Sequence, residues 1–234
     1  TDDINRPNQT HAYMLRSPHA HATINSIDTS AASAASGVVA VYVGTDMEVG
    51  GLPCGWLIHN EDGTPMHEPG HPPLAVGKVR HVGDQVACVI ANSLAEAKAA
   101  AEMINVDYGV LPAVMNMKAA EAGGTLVHDD IGTNKCYDWG IGDKDAVDAA
   151  LAASAHVTEI DIVNNRLIPN AMEPRAAVAE FNGSNSEYTL YTTSQNPHVI
   201  RLLMGAFVLS LPEHKLRVIA PDVGGGFGQK VLLF

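Results

Sequence analysis

Lys215-Leu216-Arg217-Val218-Ile219-Ala220 runs through Pro221-Asp222-Val223 into Gly224-Gly225-Gly226-Phe227-Gly228-Gln229-Lys230. The first part alternates like a strand and the second is a glycine-rich loop. Glycine accepts φ > 0 and lets main-chain amides approach a ligand closely, so successive N–H groups can form an anion-binding nest. A Walker loop is excluded, because no Gly-Lys-Ser/Thr follows at the required spacing. A dinucleotide fingerprint is excluded as well, because Gln229 stands where Gly-x-Gly-x-x-Gly needs its last glycine. A plain glycine-rich turn is the alternative reading.

Upstream, Thr192-Thr193-Ser194-Gln195-Asn196-Pro197-His198 ends one strand (187–193) and starts a helix that runs to about Leu209. Asn196 is a good cap and Pro197 suits the first helical position. Ile200, Leu203, Met204, Phe207 and Val208 make this helix apolar on nearly every side, which predicts burial. Gln195 sits at the junction, where helix ends favour anions and an amide can donate a hydrogen bond. Simple capping, with Gln195 on the surface, is the bland alternative. In Met172-Glu173-Pro174-Arg175, Glu173 and Arg175 share one side of an extended segment and could clamp a partner group, with a structural ion pair the favoured reading.

Working outward, strands are expected at 22–27, 38–43, 105–108, 156–163 and 176–181, with two pieces over 79–91 broken at Gly83-Asp84. Ser93-Leu94-Ala95-Glu96 is a capping box that opens an alanine-rich helix to about Ile104. A second helix spans Asp143 to about Ser154. Residues 44–77 form a long loop rich in Gly, Pro, His and acids, and 120–142 a Gly- and Asp-rich linker. The fold class is therefore α+β.

Composition narrows the function. The chain has 234 residues and a net charge of −12, which disfavours nucleic acid and anionic membranes as partners. No apolar run reaches the roughly 18 residues of a membrane span, and no signal peptide is visible. The three cysteines, Cys54, Cys88 and Cys136, are odd in number and widely spaced, which fits a reducing compartment. Cys54, His59, His67 and His71 are zinc-capable types but match no common zinc module, so no metal ligand is assigned. His19 and His21 share a face of an expected strand and read as solvated or satisfied side chains. The missing initiator Met and the apolar run Val231-Leu232-Leu233-Phe234 suggest part of a longer polypeptide.

Several segments occur together in a recognisable order. They are Leu15-Arg16-Ser17-Pro18-His19-Ala20-His21-Ala22, Val82-Gly83-Asp84-Gln85-Val86-Ala87, Val106-Asp107-Tyr108 with Leu111-Pro112, Met172-Glu173-Pro174-Arg175, Ser194-Gln195-Asn196-Pro197-His198 and Pro221-Asp222-Val223 before the triple glycine. With them the chain resembles the molybdenum-binding large subunits of the xanthine dehydrogenase family, and within it the aerobic carbon monoxide dehydrogenase-like members. The resemblance implies an α/β hammerhead domain (1–120), a linker (121–142) and the start of a molybdopterin-binding domain (143–234). It implies a molybdenum–molybdopterin cofactor in its cytosine dinucleotide form. By position, Gly225, Gly226, Phe227 and Gly228 would lie against that cofactor, and Gln195 would hydrogen-bond its oxo group as the one catalytic residue in this segment.

The resemblance further implies oxidation of carbon monoxide, an aldehyde or an N-heterocycle, with water as oxygen source. Electrons would pass to iron–sulfur clusters on a small subunit and FAD on a medium subunit, in a cytoplasmic dimer of heterotrimers. The family's base glutamate and copper-binding cysteine have no counterpart here. Purine-hydroxylating members carry a glutamate after the loop lysine, where this chain has Val231, which argues against xanthine as substrate. A non-catalytic binding or assembly module of the same fold is the alternative.

Overall fold

The computed structural model describes residues 1, 3–47, 49–52 and 57–231. Cys54 and Leu232–Phe234, which figure in the readings above, lie outside them. The first unit contains β1 (His11–Arg16), β2 (Ala22–Asp28), α1 (Ser30–Ser33), β3 (Val38–Val43), β4 (Lys78–Val79), β5 (Gln85–Ala91), α2 (Leu94–Ala101) and β6 (Asn105–Val110). Two antiparallel sheets result, ordered β1-β5-β3 and β4-β2-β6.

Alanines decide the packing between α2 and the first sheet. Ala97, Ala100 and Ala101 are buried against Ala87, Val89 and Ala91, with Ala32 and Ile104 closing the cluster. Small side chains let the helix backbone approach the strands, and alanine is also the strongest helix former. Ser93 caps α2, its Oγ accepting from the Glu96 amide at 3.2 Å. The box is only half built, because Glu96 takes the Ser93 hydroxyl (2.8 Å) instead of its amide.

The 44–77 segment has only a 3-10 turn at 44–46 and two isolated bridges, Leu52 with His71 and His59 with Pro65, among its described residues. After α3 (Met117–Glu121), the chain returns along it, where Cys136 and Asp138 carbonyls accept from the His67 and Glu61 amides. His21 falls in the turn before β2 rather than in a strand. It is buried, its Nδ1 2.8 Å from the Pro112 carbonyl. His19 packs edge-on against Tyr108.

The second unit has α4 (Lys144–Ala153), β7 (Ala177–Asn182), β8 (Glu187–Thr192), α5 (Pro197–Leu202) and β9 (Leu216–Ile219). β7 pairs antiparallel with β8, and β8 parallel with β9. The crossover from β8 to β9 is α5, continued as wider π-type turns over Leu203–Val208.

Three expectations fail here. Residues 156–163 have the strand pattern but no strand partner among the described residues, and a strand needs a neighbour to satisfy its ladder. The α5 helix buries Ile200 and Leu203 but leaves Leu202 and Phe207 exposed, because only one side meets β9. Asn196 makes no side-chain cap; Ser194 Oγ accepts the Asn196 amide instead, at 2.9 Å.

Replacing Ser93 by Ala removes the α2 cap. We expect a loss of about 1 kcal/mol, read as a lower urea midpoint with unchanged slope.

Candidate functional site

A parallel pair places both carboxyl ends on one edge, and that edge is where open α/β sheets bind ligands. Here β8 runs into Gln195 and β9 into the glycine loop. The two segments are sewn together by backbone: the Gln195 amide donates to the Lys230 carbonyl at 2.8 Å. The buried Thr193 and Ser194 lead into this junction, Thr193 Oγ1 taking the Ala176 amide at 3.1 Å.

Gln195 then reaches under the loop. Its Oε1 accepts from the amides of Gly228 (2.9 Å) and Lys230 (3.3 Å). Two donors facing one end of a carboxamide require the oxygen there, so Nε2 points the other way. Gln195 is exposed, and Nε2 makes no hydrogen bond among the described residues. The oxygen is a fastening, and the NH2 group remains an oriented donor.

The loop backbone is strongly curled, with φ of +96° at Gly225, +50° at Phe227 and +86° at Gly228. A non-glycine residue in this region is uncommon, and Phe227 holds it while its ring folds back over Gly225. Gly226 leaves room for Gln195: a Cβ there would come within 2.4 Å of the Gln195 side chain. The amides of Gly225, Gly226 and Phe227 donate to nothing among the described residues. Three consecutive free N–H groups and one oriented NH2 form a donor set for a negatively charged, oxygen-rich guest.

Glu173 and Arg175 do clamp something, namely the loop itself. Glu173 Oε2 accepts from the Gly224 amide (2.7 Å), and Arg175 donates to the Gln229 carbonyl (2.8 Å). Lys230, 4% exposed, bonds both the Glu173 carbonyl (2.8 Å) and carboxylate (3.2 Å). The Gly224 amide, followed by the Thr1 ammonium (3.2 Å from Oε1) and Lys230, holds the Glu173 carboxyl below its ordinary range. Sequence reading did not assign Lys230 a part, and its only signal was a lone cation closing the glycine run. Beneath the loop, Met14, Leu190, Ile200 and Met204 line an open cavity of about 410 Å³.

Both units of the chain are similar to known proteins. Residues 1–112 match the family described as aldehyde oxidase and xanthine dehydrogenase, a/b hammerhead domain, and residues 127–234 match the molybdopterin cofactor-binding domain. The carbon monoxide dehydrogenase large chain of Afipia carboxidovorans is 36% identical, over 98% of this chain and 29% of its own length. The nicotine 6-hydroxylase large subunit of Paenarthrobacter nicotinovorans is 32% identical, over 100% and 28%. Among solved structures, quinoline 2-oxidoreductase from Pseudomonas putida 86 superposes with a TM-score of 0.84 at 35% identity, over 98% of this chain and 28% of that one. Reconstituted CO dehydrogenase from Oligotropha carboxidovorans gives 0.85 at 35%, over 100% and 30%. The chain thus spans less than a third of the length of these relatives.

Two outcomes test the loop's wiring. Gly228→Ala forces a Cβ into left-handed backbone and should destabilise by about 1–2 kcal/mol, measured by urea unfolding. The Glu173 carboxyl titrates below its ordinary 4.5, so its stabilisation is present above that value and lost as pH falls through the lowered folded value. The stability gap between wild type and Glu173→Gln should therefore be constant near neutral pH, begin to shrink as pH falls towards 4.5 and close below the lowered folded value.

Proposed function

Because the chain belongs to the xanthine dehydrogenase family of molybdopterin-binding large subunits, we propose that Gln195 and the loop Gly225–Gly228 hold the molybdenum–molybdopterin cofactor. The observation that carries this reading is the inverted carboxamide: Gln195 Oε1 tied to two loop amides, with Nε2 left as an oriented donor. The amides of Gly225, Gly226 and Phe227 face the same kind of demand, since an anionic, oxygen-rich group needs several donors and no competing carboxylate. Glu173, the nearby acid, is already engaged by Gly224 and Lys230.

When bound, the molybdenum centre supplies two-electron redox chemistry. The residues of this chain bind and orient. Main-chain N–H groups on a strained, fastened loop cannot reorganise, so their dipoles stay aimed at the guest throughout. Gln195 cannot rotate its NH2 away without breaking two hydrogen bonds from the loop. Phe227, 71% exposed, presents an apolar ring beside these donors and excludes water from one side of the guest.

The reading extends to the whole protein. It oxidises carbon monoxide, an aldehyde or an N-heterocycle with water as oxygen source, and Val231 after the loop lysine disfavours purines. The cofactor is the cytosine dinucleotide form. Electrons leave to iron–sulfur clusters and FAD on small and medium partner subunits, in a dimer of heterotrimers in the cytoplasm. Two sequence relatives named as carbon monoxide dehydrogenase large chains support this assignment, as does the nicotine 6-hydroxylase subunit. No helix among the described residues is long and apolar enough to cross a membrane.

Gln195→Ala in the complete enzyme should lower kcat about 100-fold while pterin and molybdenum content stay at wild-type values. Gln195→Glu keeps an acceptor for Gly228 and Lys230 but has no N–H to donate, and it should lower turnover too. Unchanged turnover in both variants removes Gln195 from the mechanism.

A further inference from the structure

The histidines of the long loop find a partner that their spacing did not suggest. His59 and His67 do not join His71; instead His71 meets His81 and Asp84, at the turn before β5. One ligand atom from each of the three lies within 4.8 Å of the others. His81 Nδ1 is 3.7 Å from Asp84 Oδ2, and the His71 and His81 rings stack with centroids 6.2 Å apart.

The backbone beneath these side chains is fixed. The Asp84 carbonyl accepts from the Ser17 amide (2.8 Å), its Oδ2 from the Arg80 amide (2.9 Å), and the His81 carbonyl from the Asp84 amide (3.2 Å). The His71 carbonyl accepts from the Leu52 amide at 2.7 Å. Asp84 is only 7% exposed, and its Oδ2 is held by the Arg80 amide while it faces His81. A largely buried carboxylate is expensive unless donors or a cation meet it.

Beside the cluster, His71 and Asp84, with His128 and not His81, line a small cavity of about 20 Å³, room for roughly one water molecule. Lys78 and Arg80 share that lining and oppose a cation, but both are drawn elsewhere. The Lys78 ammonium pairs with Asp129, and Arg80 Nε donates to the Val127 carbonyl at 3.2 Å.

We propose that His71, His81 and Asp84 bind one divalent transition-metal ion of the zinc type. Two imidazoles and a carboxylate are the donor set such ions prefer, whereas magnesium and calcium favour all-oxygen shells. Tetrahedral ligands around zinc stand about 3.4 Å apart, so closing the site needs only modest rotation of two exposed imidazoles. Water takes the fourth position. The ion ties residues 70–72 to the 80–84 turn. This site is separate from the glycine loop and does not depend on its assignment.

The test is titration of the full-length protein, stripped of metal by a chelator, with zinc chloride in competition with a chromophoric indicator. Wild type should bind one equivalent that weakens at least about tenfold in His71→Ala and in His81→Ala. His59→Ala should bind as wild type does, and circular dichroism should show all three variants folded, since the replaced rings are exposed. No saturable binding, unchanged affinity in His71→Ala or His81→Ala, or equal weakening in His59→Ala overturns the proposal.

Discussion

The carboxamide of Gln195 is the joint on which the candidate site turns. Its oxygen takes the amides of Gly228 and Lys230, so one side chain terminates β8 and organises the loop after β9. That double acceptance has two effects. It satisfies loop amides that would otherwise need water, and it dictates which end of the amide faces outward. A neutral group thereby becomes a directional donor with no change in charge. The glycine at 226 follows from the same joint, because any larger residue would occupy the volume of the Gln195 side chain.

Around this joint a buried cation and an acid hold the loop from the other side. Lys230 and Glu173 lie 57 positions apart, yet the ammonium bonds both the carbonyl and the carboxylate of Glu173 while that carboxylate also takes the Gly224 amide. The loop is thus fastened at Gly224, Gly228, Gln229 and Lys230 and left open between them. The unfastened amides, at Gly225, Gly226 and Phe227, are the ones available to a guest. On the proposed reading, rigid ends and a free middle would make the loop preorganised for its guest, since little ordering would remain to be done on binding.

Local signals were the most legible. The alanine helix after Ser93, the strand pairs bounded by glycine and proline, and the proline start of α5 all depend on interactions within a few residues. Periodicity and turn chemistry report those directly. Legibility failed where partners are distant. The 156–163 segment alternates like a strand, but alternation cannot supply a neighbour. Asn196 is a good cap by type, yet Ser194 takes its amide. The pairing of Glu173 with Gly224 and Lys230 was invisible, because residue type does not tell which of several polar groups will meet.

By itself the sequence determined that a strand-to-helix turn carries Gln195 and that a glycine loop follows a later strand. It also carried enough ordered motifs to indicate a hammerhead unit followed by a molybdopterin-binding unit. These follow from backbone preference and short-range patterning. Only the tertiary structure decided that Gln195 offers its nitrogen rather than its oxygen, that Lys230 and Glu173 brace the loop, and that His71 meets His81 and Asp84 instead of its loop neighbours. Those outcomes depend on the parallel register of β8 with β9 and on the packing of the long loop, and so on contacts between residues that no local pattern links.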